Sequence, residues 1–206
     1  MKIAFHGAAQ TVTGSKHLIT LNNGKKLLLD CGMFQGMGPD TDELNRTFGF
    51  NPAVILSHAH IDHCGLIPKL IKDGYNGKVY ATPATKDLAA VLMEDSAGIQ
   101  ENDIKFENKR RALQGLPYLK PLYTTEDALT AAEQFVVVDY DQWHTITDGI
   151  EFCYTDAGHI IGSAAVHLRI TENGKVTRIT FSGDVGRYRD IILKSPAPFS
   201  QADYIL

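Results

Sequence analysis

Residues 57–65 read Ser-His-Ala-His-Ile-Asp-His-Cys-Gly, and four side chains of metal-binding types fall within six of these positions. His58 and His60 are two residues apart, so in an extended chain they project to the same side and can bind one metal ion. The turn that follows brings an oxygen of Asp62 and a nitrogen of His63 to a second position nearby. An isolated histidine is more often a satisfied polar group, but this spacing indicates a metal site.

The ligand types narrow the choice of metal. Imidazole and carboxylate together suit zinc best among the common metals, although manganese or iron can bind the same set. We therefore predict two zinc ions, with manganese and iron as alternatives.

The chain around the cluster predicts a strand that leads through it into a helix. Residues 53–57 (AVILS) form a short apolar run, typical of a strand that is covered on both faces. Between residues 62 and 72 the apolar side chains recur at helical spacing, and Gly74 ends the pattern. The metal ligands should therefore lie at the carboxyl end of a buried strand.

The rest of the chain alternates between strand-like and helix-like sequence patterns. Residues 2–30 contain short β-type runs with a hairpin signal, Asn-Asn-Gly, at 22–24, whereas residues 83–135 are mostly helical in pattern. Strands, then helices, then strands predict sheets covered by helices. The later strand-like runs are FVVVDY (135–140), IEFCYTDA (150–157), AAVHLRIT (164–171) and KVTRITFSG (175–183), the last two joined by Glu-Asn-Gly.

Composition bounds the class of protein. With 206 residues and 44% hydrophobic content, one globular domain is expected, and the net charge of −4 gives no global attraction for nucleic acid or an acidic membrane. Any polyanion must therefore be bound locally. The three scattered cysteines do not form a disulfide framework, and no segment is typical of a signal peptide or a membrane span, so we predict a cytoplasmic protein without membrane contact.

The HxHxDH pattern at the end of an apolar strand resembles the signature of the metallo-β-lactamase superfamily. Asp30 in LLLDCG looks like its first motif, His159 in AGHIIGSA like the third ligand of the first metal, and Asp184 in FSGDVGR like the carboxylate between both metals. The resemblance implies an α/β (α+β) fold, the αββα sandwich of that superfamily, incomplete in this chain. The implied metal ligands are His58, His60, Asp62, His63, His159 and Asp184.

Two residues are candidates for catalytic roles. Asp62, besides binding metal, is the group best placed to orient an attacking hydroxide. Asp30 is either a strand-end carboxylate bonded to a turn or a group that orients the ligand loop, and the two roles can coincide.

Within the superfamily, the chain looks like the β-CASP branch of RNA-processing nucleases, which includes ribonuclease J and the endonuclease of mRNA 3′-end formation. The resemblance implies metal-dependent hydrolysis of RNA, exo- or endonucleolytic, by a hydroxide that bridges two metals. The helical insertion at about 83–135 separates this branch from small-substrate relatives, and we expect residues 84–114 on the rim of the metal cleft. The similar stretches are GAAQTVTGSKHLI (7–19), DSAGIQENDIKFENKRR (95–111), PLYTTEDA (121–128) and GHIIGSA (158–164).

The family pattern also implies that residues 1–206 are the amino-terminal portion of the metallo-β-lactamase domain. Members of the branch continue into a β-CASP domain and a returning carboxyl-terminal segment that carries the last histidine ligand, and residues 1–206 contain neither. The second metal would then have only Asp62, His63 and Asp184 from this chain, so we expect weak occupancy, poor activity and an uncovered apolar patch that favours a homo-oligomer. If two metals were held tightly, His6 would be the first candidate for the missing ligand.

Two other functions stay open. The same motif serves thioester or lactone hydrolases of this fold, and a non-catalytic relative could bind RNA or a partner. The basic run Lys109–Arg111 could contact phosphates or form a solvated helix face, and Tyr118 and Tyr123 could stack on bases or pack in the core. Cys31 and Cys64 are adequately explained as small buried thiols.

Overall fold

The computed structural model describes residues 1–36, 41–48 and 52–206, whose strands form two mixed sheets. The first sheet contains, in spatial order, β1 (Lys2–Gly7), β2 (Lys16–Thr20), β3 (Lys26–Leu29), β4 (Ala53–Ile55), β5 (Val79–Ala81) and β6 (Phe135–Val137). The second contains β11 (Tyr204–Ile205), β10 (Lys175–Phe181), β9 (Ala164–Glu172), β8 (Ile150–Asp156) and β7 (Trp143–Thr147).

Strand pairing confirms both predicted hairpins. Strands β2 and β3 pair antiparallel around residues 22–24, and β9 and β10 pair antiparallel around residues 172–174. From β3 to β6 the neighbours are parallel, so their connections cross over the sheet. The crossovers contain α1 (Thr41–Leu44), α2 (Ile61–Cys64), α3 (Ile67–Lys72), α4 (Pro83–Leu113) and α5 (Thr125–Glu133).

The sequence pattern over residues 62–72 predicted one helix, and this was wrong. The chain forms α2 and α3 with a break between Cys64 and Ile67. Pro68 lies in the first turn of α3, where its missing N–H leaves no intrahelical bond unmade, so it begins a new helix and does not continue the old one. Strand β7, at the edge of the second sheet, was missed because its WHTIT sequence is partly exposed and mixes polar with apolar residues.

The segment after β5 is mostly helical, as predicted. Helix α4 begins at Pro83 with Thr82 as N-cap, whose hydroxyl accepts from the N–H of Thr85 at 3.3 Å. Helix α5 begins with a capping box between Thr124 and Asp127. None of the helices in the described ranges has the length and hydrophobicity needed to cross a lipid bilayer.

Two layers of apolar side chains hold the elements together. One lies between the sheets and includes Ile55 and Phe152, and the other lies between the first sheet and the helices and includes Val54 and Leu66. Adjacent residues of β4 thus serve opposite layers, which explains its continuous apolar run. The order of layers is helix, sheet, sheet, and the carboxyl ends of β4, β8 and β10 lie at the same edge.

Candidate metal centre

The candidate metal centre lies where loops from both sheets meet. His58, His60, Asp62 and His63 follow β4, while His159 lies on the loop between β8 and β9. Asp184 follows β10. The two sheets pack face to face, so these loops come together although more than 120 positions separate the first residue from the last.

Four of these side chains converge on one point. His58, His60, His159 and Asp184 each offer a ligand atom, and these atoms lie within 4.8 Å of one another. The Nδ1 atom of His60 lies 3.1 Å from Nε2 of His58 and 3.2 Å from Nε2 of His159. Tetrahedral zinc with bonds near 2.1 Å separates its nitrogen ligands by about 3.4 Å. The donor set therefore fits a metal ion in both type and spacing.

The remaining two predicted ligands, Asp62 and His63, lie on the other side of Asp184. Its Oδ2 lies 3.4 Å from Nε2 of His159 and 4.0 Å from Nε2 of His58, whereas its Oδ1 lies 3.5 Å from Nε2 of His63. Asp62 Oδ2 is 3.8 Å from the same His63 nitrogen. One carboxylate thus faces two groups of metal-binding side chains.

Asp30 holds the loop after β4 in place through hydrogen bonds. Its carboxylate is fully buried and accepts hydrogen bonds from the N–H of Ser57 at 2.8 Å and from the Ser57 hydroxyl at 2.9 Å. Ser15 Oγ donates to it at 3.3 Å, and His63 Nδ1 lies 2.6 Å from its Oδ2. A proton on Nδ1 of His63 would leave Nε2 free to bind metal, so the contacts of Asp30 suit both predicted roles, turn partner and group that orients the ligand loop.

Burial sets the protonation of the imidazoles. Desolvation lowers the pKa of His58 to about 2, with smaller contributions from the neighbouring histidines, and burial also lowers the pKa of His159 against the attraction of Asp184. Burial alone would lower the pKa of His63, but the carboxylates of Asp30, Asp184 and Asp62 together outweigh it and raise the pKa overall. His58 and His159 are therefore neutral at neutral pH, the form that binds metals.

Close backbone contacts hold the two ligand loops against each other. A Cβ atom on Gly186 would lie 1.6 Å from the carbonyl oxygen of Gly158, next to His159, and the Gly186 N–H donates to Ala157 at 2.8 Å. Gly183, before Asp184, has a φ of 52°. The glycines in FSGDVGR and AGH thus let Asp184 approach His159.

The structure separates the predicted residues into those at the centre and those away from it. His58, His60, Asp62, His63, His159, Asp184 and Asp30 come together as described. His6 packs against Phe48, with 4.8 Å between ring centroids, and is outside the group. Cys31 and Cys64 are buried free thiols, and burial raises the pKa of Cys31 to about 12. The roles of Ser57 and Ser15 were not predicted, although Ser57 directly precedes His58 and Ser15 lies within the family-like stretch at 7–19.

The helical insertion touches the centre at one end. The hydroxyls of Thr82 and Thr85 donate to the carbonyl of Gly162 at 2.7 and 2.8 Å, so the start of α4 lies beside the His159 loop. The 31 residues of α4 span about 46 Å, so its carboxyl end lies far from that loop. The first turn of α4 thus lies at the rim, and a rim position for the rest of residues 84–114 stays a prediction.

Comparison with known proteins decides the family. The Metallo-beta-lactamase superfamily domain matches residues 18–203. The chain belongs to the metallo-β-lactamase superfamily. Its fold is that of the native FEZ-1 metallo-beta-lactamase from Legionella gormanii, with a TM-score of 0.52 and 15% identity over 91% of this chain and 62% of that one. The predicted fold class is therefore confirmed.

The chain is also similar in sequence to named proteins. The chain is 35% identical to Ribonuclease TTHA0252 of Thermus thermophilus over all of its own length and 43% of that protein. It is 32% identical to an RNase J-like protein of Methanocaldococcus jannaschii over 89% of this chain and 36% of that protein. The predicted likeness to the ribonuclease J branch of the superfamily is thus confirmed, and this chain spans less than half the length of these relatives.

Proposed function

We propose that this chain forms the metal-binding part of an RNA phosphodiester hydrolase. The observation that carries the proposal is the position of Asp184, whose two oxygens face separate groups of imidazoles. Such a carboxylate suits two metals held close together, and two-metal sites are common in phosphodiester hydrolysis. The named relatives, a ribonuclease and an RNase J-like protein, favour RNA over other phosphodiesters.

We assign the ligands to two positions. His58, His60, His159 and Asp184 would hold the first metal, and Asp62, His63 and Asp184 the second. Zinc suits these donors best, with manganese and iron as alternatives. When bound, the metals would supply Lewis acidity that lowers the pKa of water and neutralises charge on the phosphate.

The side chains around the metals have distinct tasks. Asp62 has one oxygen 3.8 Å from His63 and is partly exposed, so it can accept a proton from an attacking water and orient it toward phosphorus. Asp30 holds His63 and the Ser57 backbone in place and touches no substrate, which makes it a positioning residue. Asp184 is 47% exposed, so the centre is open to a large substrate.

Other conclusions drawn from the sequence remain predictions. The further domain and returning segment, self-association and a cytoplasmic location follow from the resemblance and from the composition. The described cysteines are free, as a reducing compartment would require.

An assay of two substrates with the full-length protein tests the function. We expect cleavage of a labelled single-stranded RNA, loss of cleavage with EDTA, recovery on adding zinc or manganese, and no hydrolysis of S-lactoylglutathione. The Asp62→Asn variant should cut RNA at least 100-fold more slowly, on the scale of lost general base catalysis. Thioester hydrolysis with intact RNA would assign the chain to the small-substrate hydrolases.

A further inference from the structure

A second surface, away from the metal centre, has the chemistry of a nucleic-acid contact. It is a groove of about 720 Å³ between the carboxyl half of α4 and the loop that returns to α5. We call it the basic groove. Its wall includes Ile104, Lys105, Lys109, Tyr118, Leu119 and Lys120.

The groove is a built feature, because side chains fasten the return loop to the helix. Asn108 donates from Nδ2 to the carbonyl of Leu119 at 2.9 Å and accepts from the Leu119 N–H at 2.8 Å. Arg111 Nε donates to the carbonyl of Pro117 at 2.7 Å. The loop therefore holds Tyr118 and Lys120 at fixed positions opposite α4.

The lysines of the groove have no partner within the described part of the chain. Lys105, Lys109 and Lys120 are exposed and make no hydrogen bond or ion pair there. Other basic residues nearby are engaged, since Arg110 pairs with Glu107 at 2.8 Å and Arg111 bonds the loop. Three free ammonium groups therefore line this one groove.

The arrangement of these charges favours an external anion. Lys105 and Lys109 are four residues apart on one helix face, about 6 Å along the axis, so they repel each other. The acidic residue of the groove, Glu101, accepts a hydrogen bond from Thr125 Oγ1 at 2.9 Å. In a chain with a net charge of −4, a groove with three unpaired ammonium groups is a local site for a polyanion.

Tyr118 distinguishes a nucleic acid from a simple polyanion. Its ring is 70% exposed, beside the lysines, whereas Tyr123, the other candidate for base stacking, is fully buried and donates to Ser96 at 3.0 Å. An exposed ring next to cations is the combination that binds single-stranded nucleic acid without sequence preference. Tyr123 belongs to the core.

We propose that the basic groove binds single-stranded RNA at a distance from the metal centre, with phosphates on its three lysines and a base on Tyr118. The inference rests on the proposed function for the choice of RNA. Thr85 contacts the loop of the metal centre, and Lys105 lies 20 residues further along the same helix, about 30 Å away. The groove therefore contacts long RNAs and is out of reach of a tetranucleotide bound at the metals.

Binding in EDTA tests the groove without hydrolysis. The probe is a fluorescein-labelled 2′-O-methyl RNA of 20 nucleotides, measured by anisotropy over a range of salt concentrations. The triple variant with alanine at Lys105, Lys109 and Lys120 should bind on the order of 100-fold more weakly at 0.1 M salt, and its salt slope should fall by about 2. Arginine at the same three positions should restore binding.

Matched variants separate the groove from net charge. Alanine at Lys2, Lys78 and Lys175, which are exposed and lie elsewhere, removes equal charge and should leave most of the affinity. Tyr118→Leu should weaken binding at least fivefold, while Tyr118→Phe should keep it, since the ring and not the hydroxyl stacks. Equal slopes for the groove and control triples, or no RNA binding by the unmodified chain, would overturn the proposal.

Cleavage by the full-length protein separates this inference from the proposed function. The groove triple should slow cleavage of a 20-nucleotide RNA and leave a tetranucleotide unaffected. Equal effects on both RNAs would contradict the groove assignment. If the unmodified protein cuts neither RNA, the proposed function fails, and the binding measurements in EDTA still decide the groove.

Discussion

His63 and Asp30 form the shortest polar contact of the metal centre among those described, with 2.6 Å between Nδ1 of the imidazole and Oδ2 of the carboxylate. The Asp30 side chain is completely buried and that of His63 is 7% exposed. Because the contact lies out of water, the carboxylate fixes both the tautomer and the orientation of the ring. The proposed second metal position therefore depends on a residue that is not one of its proposed ligands.

Replacing Asp30 should affect stability and metal binding to different degrees. Asp30→Ala leaves three or more buried donors without an acceptor and should cost about 3–5 kcal/mol of unfolding free energy. Asp30→Asn keeps one acceptor but no longer demands a proton on His63 Nδ1, so metal affinity should fall roughly 10–100-fold with a smaller loss of stability. Urea unfolding in EDTA and zinc titration measure the two effects. Asp62→Asn, at a partly exposed site, should leave the urea midpoint unchanged, and equal destabilisation by both asparagine variants would contradict this role for Asp30.

The two metal positions should differ in occupancy. In the proposed assignment the first has four protein ligands and the second three in the described chain, so elemental analysis should find fewer than two metals per chain after dialysis. His159→Ala should lower the tightly bound fraction, whereas His63→Ala should remove only the weak one. His6→Ala is the control, since His6 packs on Phe48 and is not among the four side chains that converge. Loss of metal in that variant would make His6 a ligand.

Acid should destabilise the metal-free chain through His58. Its folded-state pKa, about 2, lies below the usual 6.5 because the ring is buried, so the unfolded chain binds one more proton between these pH values. Stability from this group is therefore full above pH 6.5 and falls by about 1.4 kcal/mol per unit as the pH decreases. Urea unfolding in EDTA at pH 7, 6 and 5 should show that the unfolding free energy changes less with pH for His58→Gln than for the unmodified chain. Parallel pH profiles for the two proteins would argue against a buried neutral ring.

Two glycine substitutions should act in opposite directions. Gly98 lies inside α4, and an added Cβ would meet no atom within 4 Å, so Gly98→Ala should stabilise the chain by about 0.5–1 kcal/mol. Gly186→Ala would force apart the loops of Asp184 and His159, because its Cβ would overlap the Gly158 carbonyl. We expect weaker zinc binding for that variant. Unchanged zinc affinity in Gly186→Ala would show that the loops can separate without moving the ligands.

Much of the fold could be predicted from local patterns. The turns at 22–24 and 172–174 and the buried strand β4 each depend on a few adjacent residues, and all were found. The break between α2 and α3 was missed because apolar spacing continued through Pro68. The edge strand β7 was missed because partial exposure removes the hydrophobic signal.

For the metal centre, the sequence by itself determined what neighbouring residues can do. The spacing of His58, His60, Asp62 and His63 places their side chains within one short turn, whatever the rest of the chain does. Only the tertiary structure decided that Asp184 lies between His159 and His63. The same holds for Asp30, which accepts hydrogen bonds from Ser15 and Ser57. It also holds for Asn108, which fastens the wall of the basic groove. Local spacing fixes angles between side chains a few residues apart. Contacts between residues a hundred positions apart exist only because burial of the apolar faces brings the two sheets and their edge loops together.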